Sequence, residues 1–228
     1  MASPAPAEAF TIESVRIPAG DHDLVGELAY PDSIPTGGVI IAGPHPLLGG
    51  TMHNNVVRAL GDGLAARGCV TLRFGYRDGG LDPQRLAQFW RTSRAPDEPE
   101  WGDDLCSAVE FLRGIVPPQL PLALVGYSFG CTLLPAALRG DAALVLIAPT
   151  VGHHDFSAFE SLGNPKLVIA PLDDFAADAS KTERWLDRLP DPKQIERPQR
   201  DGHFFRGHED WLAETVGDFL DATWGGKA

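Results

Sequence analysis

Leu122-Ala123-Leu124-Val125-Gly126-Tyr127-Ser128-Phe129-Gly130-Cys131-Thr132-Leu133-Leu134 is the stretch that decides the fold. Its first four residues form a continuous apolar run with the length of a buried strand. From Cys131 to Leu138 the pattern reads as the start of a helix. Between them stands Gly-x-Ser-x-Gly, and strand, tight turn and helix in that order make a nucleophile elbow. A turn this sharp puts the serine in a strained backbone conformation and pushes its hydroxyl into the open. Side chains two residues before and two after would collide, which is why Gly126 and Gly130 flank it. The bare motif is common, but in this context it points to a serine hydrolase.

Working outward, Thr11 to Ile17 and Asp23 to Tyr30 alternate apolar and polar residues and read as an antiparallel hairpin turned at Ala19-Gly20-Asp21. Short apolar strands then alternate with amphipathic helices. The strands are Val39 to Ala42, Val70 to Phe74, Leu122 to Val125, Ala143 to Ala148, Lys166 to Ala170 and, more weakly, Gln194 to Glu196. The helices run from Asn55 to Arg67, Asp103 to Ile115, Phe129 to Arg139, Lys181 to Leu189 and Glu209 to Ala222. Near-continuous apolar strands imply a sheet covered on both faces. The expected fold class is α/β: a doubly wound, mostly parallel sheet with N-terminal antiparallel strands, one domain over residues 10–228. Ligands in such sheets bind at the carboxyl ends of the strands, where Ser128 sits.

One stretch breaks the rhythm. Gly79 to Glu100 is longer than the usual strand-to-helix connection. Within it Leu86, Phe89 and Trp90 share the spacing of one helical face. It reads either as a small cap over the active site or as a surface turn with its aromatics packed on the body; its departure from the catalytic edge of the sheet favours the cap.

Net charge −12 argues against nucleic acid and anionic membrane surfaces, which call for basic patches. No apolar run approaches the roughly 18 residues of a membrane span. Residues 1–9 lack the basic and apolar regions of a signal peptide and read as a frayed tail. Cys69, Cys106 and Cys131 are odd in number and lack metal-site spacing, so they read as buried, reduced thiols. A cytoplasmic location is expected.

A serine nucleophile needs a base, and the base needs a partner that holds its tautomer. In elbow folds the order is Ser, acid, His. His203 lies in Asp201-Gly202-His203-Phe204-Phe205, between the last strand and the last helix, where the base belongs. His208 is the weaker alternative, at the final helix's N-terminus. His153 and His154 come too early to leave an acid between themselves and the serine. The acid should follow the strand ending at Ala170. Asp174 is chosen because such folds commonly place the acid fourth in a Gly-x-x-Asp turn, with Pro171 here in the glycine position. Asp173 and, one strand earlier, Asp155 stay as alternatives. The oxyanion hole needs two donors. One is the N–H of Phe129; the other comes from Pro44-His45-Pro46-Leu47, where only His45 and Leu47 have an N–H. Tyr127, Phe89, Trp90 and Arg77 are candidates for the pocket wall. A metal reading of the histidines fails on spacing: His203 and His208 are five apart, off one helical face.

Pro44-His45-Pro46-Leu47-Leu48-Gly49-Gly50-Thr51-Met52, Leu72-Arg73-Phe74-Gly75-Tyr76-Arg77, the elbow and Asp201 to Phe205 together resemble segments of small, often lidless bacterial α/β-hydrolases related to the dienelactone-hydrolase-like esterases. The resemblance covers about residues 15 to 222. It implies a serine-dependent hydrolase with Ser128, Asp174 and His203 as the triad. Dienelactone hydrolases proper use cysteine, so the serine here disfavours that activity. The expectation is hydrolysis of a small-molecule carboxylic ester with no cofactor and no metal. Thioester or peptide hydrolysis and acyl transfer on the same triad, or a non-catalytic binding role, are the alternatives. A homodimer stays open.

Overall fold

The computed structural model describes residues 10–77, 83–92, 99–199 and 202–225, with the backbone alone at Arg85, Phe89, Trp90 and Pro99. Eight strands, β1 (Phe10–Ala19), β2 (His22–Pro31), β3 (Gly37–Ala42), β4 (Cys69–Phe74), β5 (Leu122–Tyr127), β6 (Ala143–Ile147), β7 (Lys166–Ile169) and β8 (Lys193–Glu196), form one sheet in the order β1-β2-β4-β3-β5-β6-β7-β8. β1 pairs with β2 and β2 with β4 antiparallel; every other neighbour is parallel. β3 has β4 on one side and β5 on the other, so the chain reverses its direction of travel there. The loops leaving β3 and β5 diverge at that switch point and open a crevice at the strands' carboxyl ends.

The helices are α1 (Asn55–Ala66), α2 (Pro83–Thr92), α3 (Pro99–Ile115), α4 (Gly130–Ala137), α5 (Ala179–Arg188) and α6 (Glu209–Gly225). The strands alternate their side chains between two cores. Val39, Ile41, Val125 and Ile147 face α1 and α6 through Val57, Leu60, Leu212 and Val216. Ile40, Leu72, Leu124 and Leu146 face the other way, with Leu105, Leu112, Leu134 and Trp185 of α3, α4 and α5. Burial on both faces explains why β3, β5 and β6 carry no charged side chain, unlike β1. No helix among the described residues is long and apolar enough to cross a membrane.

Two details differ from the sequence expectations, the start of α3 and the exposure of Cys106, and a third agrees. α3 begins at Pro99, four residues before Asp103, because proline fits the first turn of a helix and Glu100 follows it there. Trp101 thereby belongs to α3 and is buried. The spacing of Leu86, Phe89 and Trp90 corresponds to a real helix, α2. The remainder of the expected cap, residues 79–82 and 93–98, and the tail over residues 1–9 lie outside the described residues. Cys69 and Cys131 are buried, but Cys106 is only half-buried on α3.

Arg73 is a structural cation. Its guanidinium lies 2.7 Å from both Glu27 and Asp62 and stitches β2, β4 and α1 together. Arg77 pairs with the fully buried Asp104 of α3: the backbone N–H donates to Oδ2 at 2.8 Å and Nε to Oδ1 at 2.7 Å.

Candidate active site

The elbow forms where the motif places it. Ser128 has φ +57°, in the left-handed region that a β-carbon disfavours. Its N–H donates to Ile147 O at 2.8 Å, tying the turn to β6. The flanking glycines are dictated by space. A β-carbon on Gly126 would stand 2.6 Å from Cys131 Cα, and one on Gly130 only 2.2 Å from Ala42 O. The second contact shows that the elbow helix is pressed against the end of β3, where the Pro44–Leu47 loop begins.

His203 Nε2 lies 2.9 Å from Ser128 Oγ, and His203 Nδ1 lies 2.9 and 3.0 Å from the two Asp174 oxygens. A carboxylate only accepts hydrogen bonds, so the ring hydrogen belongs on Nδ1 and the Nε2 lone pair faces the serine hydroxyl. All three side chains are nearly out of solvent: Ser128 is 7% exposed, His203 6%, and the Asp174 side chain 4%. Asp174 Oδ1 also accepts the Ala176 N–H at 2.7 Å, which fixes the carboxylate. The Tyr127 hydroxyl donates to His203 O at 2.9 Å. Burial pushes the Tyr127 phenol well up, so it stays a donor at neutral pH. The alternatives to Asp174 and His203 stand elsewhere. Asp173 accepts the Gly202 N–H at 3.1 Å, Asp155 caps the turn at Ser157, and His208 precedes α6.

Beside the elbow, the Phe129 N–H donates to no acceptor among the described residues. The Leu47 N–H, by contrast, donates to His45 Nδ1 at 3.2 Å. The N–H groups of Leu48 and Gly50 fold back onto His45 O. The loop is therefore a tight 3-10 turn (Pro46–Leu48) whose own N–H groups are spent on closing it. Behind it, Trp101 meets His45 and Phe129 edge-on, with ring centroids at 5.2 and 5.4 Å.

In front of Ser128 opens a cavity of about 470 Å³. Tyr127, one of the four wall candidates, is among the residues that line it. Arg77 is not, because Asp104 holds it. The side chains of Phe89 and Trp90, the other two candidates, lie outside the described residues. The walls come instead from Leu48, Thr150, His153, His154, Phe175 and Phe204. His154 Nδ1 lies 2.8 Å from Thr150 Oγ1, and its ring packs T-shaped on Phe129 at 5.4 Å. Sequence reasoning considered His153 and His154 only as a base or ligands and missed them as wall. The available signal was position: these six wall residues lie just past the carboxyl ends of β3, β6, β7 and β8.

This is the α/β-hydrolase fold. Solved structures carry the comparison further. An α/β serine hydrolase homologue from Coxiella burnetii matches with TM-score 0.77 at 24% identity, over 91% of this chain and 97% of its own. An α/β serine hydrolase without lid from Xanthomonas campestris matches with TM-score 0.76 at 25% identity, over 92% and 94%. A dienelactone hydrolase from Anabaena variabilis matches with TM-score 0.72 at 20% identity, over 93% and 97%. These neighbours are of the kind the sequence resembles, and they support a hydrolase. No protein-family model and no curated protein matches the chain.

Proposed function

We propose that the protein is a serine hydrolase that cleaves small carboxylic esters through an acyl-enzyme. The observation that carries this reading is His203, which reaches Ser128 with one nitrogen and Asp174 with the other, all at about 3 Å. In the first half-reaction Ser128 Oγ bonds to the ester carbonyl carbon as its proton passes to His203 Nε2. Asp174 holds the imidazole in the required tautomer and supports the imidazolium. The negative charge gathers on the former carbonyl oxygen. The Phe129 N–H and the His45 N–H receive it; Leu47 is the poorer second donor because its N–H already serves His45 Nδ1. The intermediate collapses, the carbon–oxygen bond to the alcohol breaks, and Nε2 returns the proton to the departing alkoxide. Water repeats the sequence on the acyl-enzyme and releases the acid. No cofactor enters any step.

The cavity volume favours a small molecule over a peptide segment. About 470 Å³ falls among pockets that enclose most of a ligand of drug size. The test is intact mass after fluorophosphonate treatment. Wild type should gain one adduct and Ser128→Ala none. A folded wild-type protein that gains no adduct would overturn the reading. A panel of matched oxygen esters, thioesters and anilides then separates esterase from thioesterase or peptidase.

A further inference from the structure

The same cavity has a chemical character that the triad does not dictate. Among the described residues, no lysine, arginine, aspartate or glutamate lines it. Leu48, Phe129, Phe175 and Phe204 supply apolar surface, and the loop after β6 contributes hydroxyl and imidazole groups: Thr150, His153 and His154. Among the described residues, two arginines near this end of the sheet are held by carboxylates and a third stacks at the cavity mouth. Arg77 is held by Asp104, Arg73 by Glu27 and Asp62, and Arg206 lies over the Phe204 ring at 5.5 Å without joining the lining. A carboxylate drawn into this space would lose its water and meet no cation among the described lining residues, which is strongly unfavourable. The chain's net charge of −12 adds repulsion during approach. An alkyl or aryl arm, by contrast, gains apolar contact on entry. At the mouth Phe175 is 72% exposed, Phe204 45% and Leu48 49%, so the apolar surface continues outward from the cavity.

We infer that the cavity selects neutral esters with an apolar acyl arm and rejects esters whose arm ends in a carboxylate. This inference rests on the ester reading of the site but concerns the wall facing the serine, and the two are separable by experiment. p-Nitrophenyl hexanoate and the hemi-ester p-nitrophenyl hydrogen adipate, similar in length, are compared at pH 8, above the ordinary histidine range. kcat/KM should favour the hexanoate by about 100-fold or more, the ratio expected for one unpaired charge in a largely apolar site. Leu48→Arg, a change at an exposed mouth position, should move that ratio toward the adipate by about tenfold, as one opposite charge at a partly solvated site would. Binding of both esters to Ser128→Ala supplies a readout without turnover, and there the hexanoate should bind at least about tenfold tighter. Ratios within threefold of unity in both assays, or a Leu48→Arg ratio that does not move, would overturn the inference. Wild type that turns over neither ester, with the binding preference intact in Ser128→Ala, would instead sink the ester reading and leave the selectivity standing.

Discussion

The space behind Ser128 and the space in front of it are built on opposite principles. Behind, nothing is spare. Cys131 is fully buried and donates its thiol toward Gly126 O at 3.1 Å, Gly130 abuts the carbonyl of Ala42, and the Ser128 N–H is held by β6. In front lies about 470 Å³ bounded by ends of loops. A left-handed serine costs about 1–3 kcal/mol and persists only where its surroundings over-determine it. The close-packed back supplies that restraint, and the front is thereby free to take whatever shape the substrate requires. The two regions should therefore answer to mutation differently.

The largest effects belong to the groups that meet across the boundary. Ser128→Ala should lower kcat on a reactive ester by about 10⁶-fold, and Asp174→Asn by about 10⁴-fold through loss of the imidazole tautomer. Asp173→Asn is the control, since Asp173 only receives the Gly202 N–H at the surface. Its kcat should stay within about threefold of wild type. Steady-state kinetics on the three variants decide the matter. An Asp173 effect as large as that of Asp174 would mean that the acid has been misassigned.

Next come the glycines of the back wall. In Gly130→Ala the new methyl would stand 2.2 Å from a backbone oxygen, which cannot swing away as a side chain can. The expected loss is about 3 kcal/mol or more, read as a lowered urea midpoint, with activity falling in step as the elbow distorts. A variant as stable as wild type would show that the back is looser than its contacts imply.

The same contrast explains what was legible in the sequence. The elbow is a local device: strand, glycine, serine, glycine and helix lie within a few residues, so its physics is written in one stretch. The proposed base and acid, His203 and Asp174, were chosen from chain order and the ends of two strands, and the two side chains meet at 2.9 Å. The front wall has no such signature. Thr150, His154, Phe175 and Phe204 come from three separate loops, and only the sheet order brings them together. Arg77 misled as a wall residue because its partner, Asp104, is 27 residues away and fully buried. The early start of α3 escaped notice because Pro99 reads as a linker when its role as a first-turn residue is overlooked.

Trp101 tests the side of the back wall that borders the Pro44–Leu47 loop. Its ring meets both His45 and Phe129 edge-on, and its Nε1–H donates to Arg77 O at 3.3 Å. Trp101→Phe keeps an aromatic ring but leaves a gap behind the two residues proposed to hold the oxyanion. A small misplacement of such donors affects the transition state more than the bound substrate. The expected result is about a tenfold drop in kcat with KM changed less than about twofold. An equal change in KM would point to a role in the cavity instead.

The smallest effect is a rate of labelling, and it measures the rigidity of the back wall without changing a residue. Burial pushes the Cys69 thiol up to about 11, pushes Cys131 well up, and also raises the half-buried Cys106. The thiolate is the reactive form, so at pH 8 a thiol of pKa about 11 presents only about one part in a thousand as nucleophile, and a buried one must also wait for an opening. A disulfide reagent on the native protein should therefore count one thiol per chain, Cys106, and three in denaturant. Because Cys131 donates to Gly126 O and Ile147 O, its exposure requires the elbow to part from β6. If the elbow is as tightly held as its contacts indicate, Cys131 should react no faster than the molecule unfolds globally, with the same urea dependence. Labelling that is faster and insensitive to urea would reveal a local opening directly behind the nucleophile, and the strained serine would then have to be held by something other than the packing at its back.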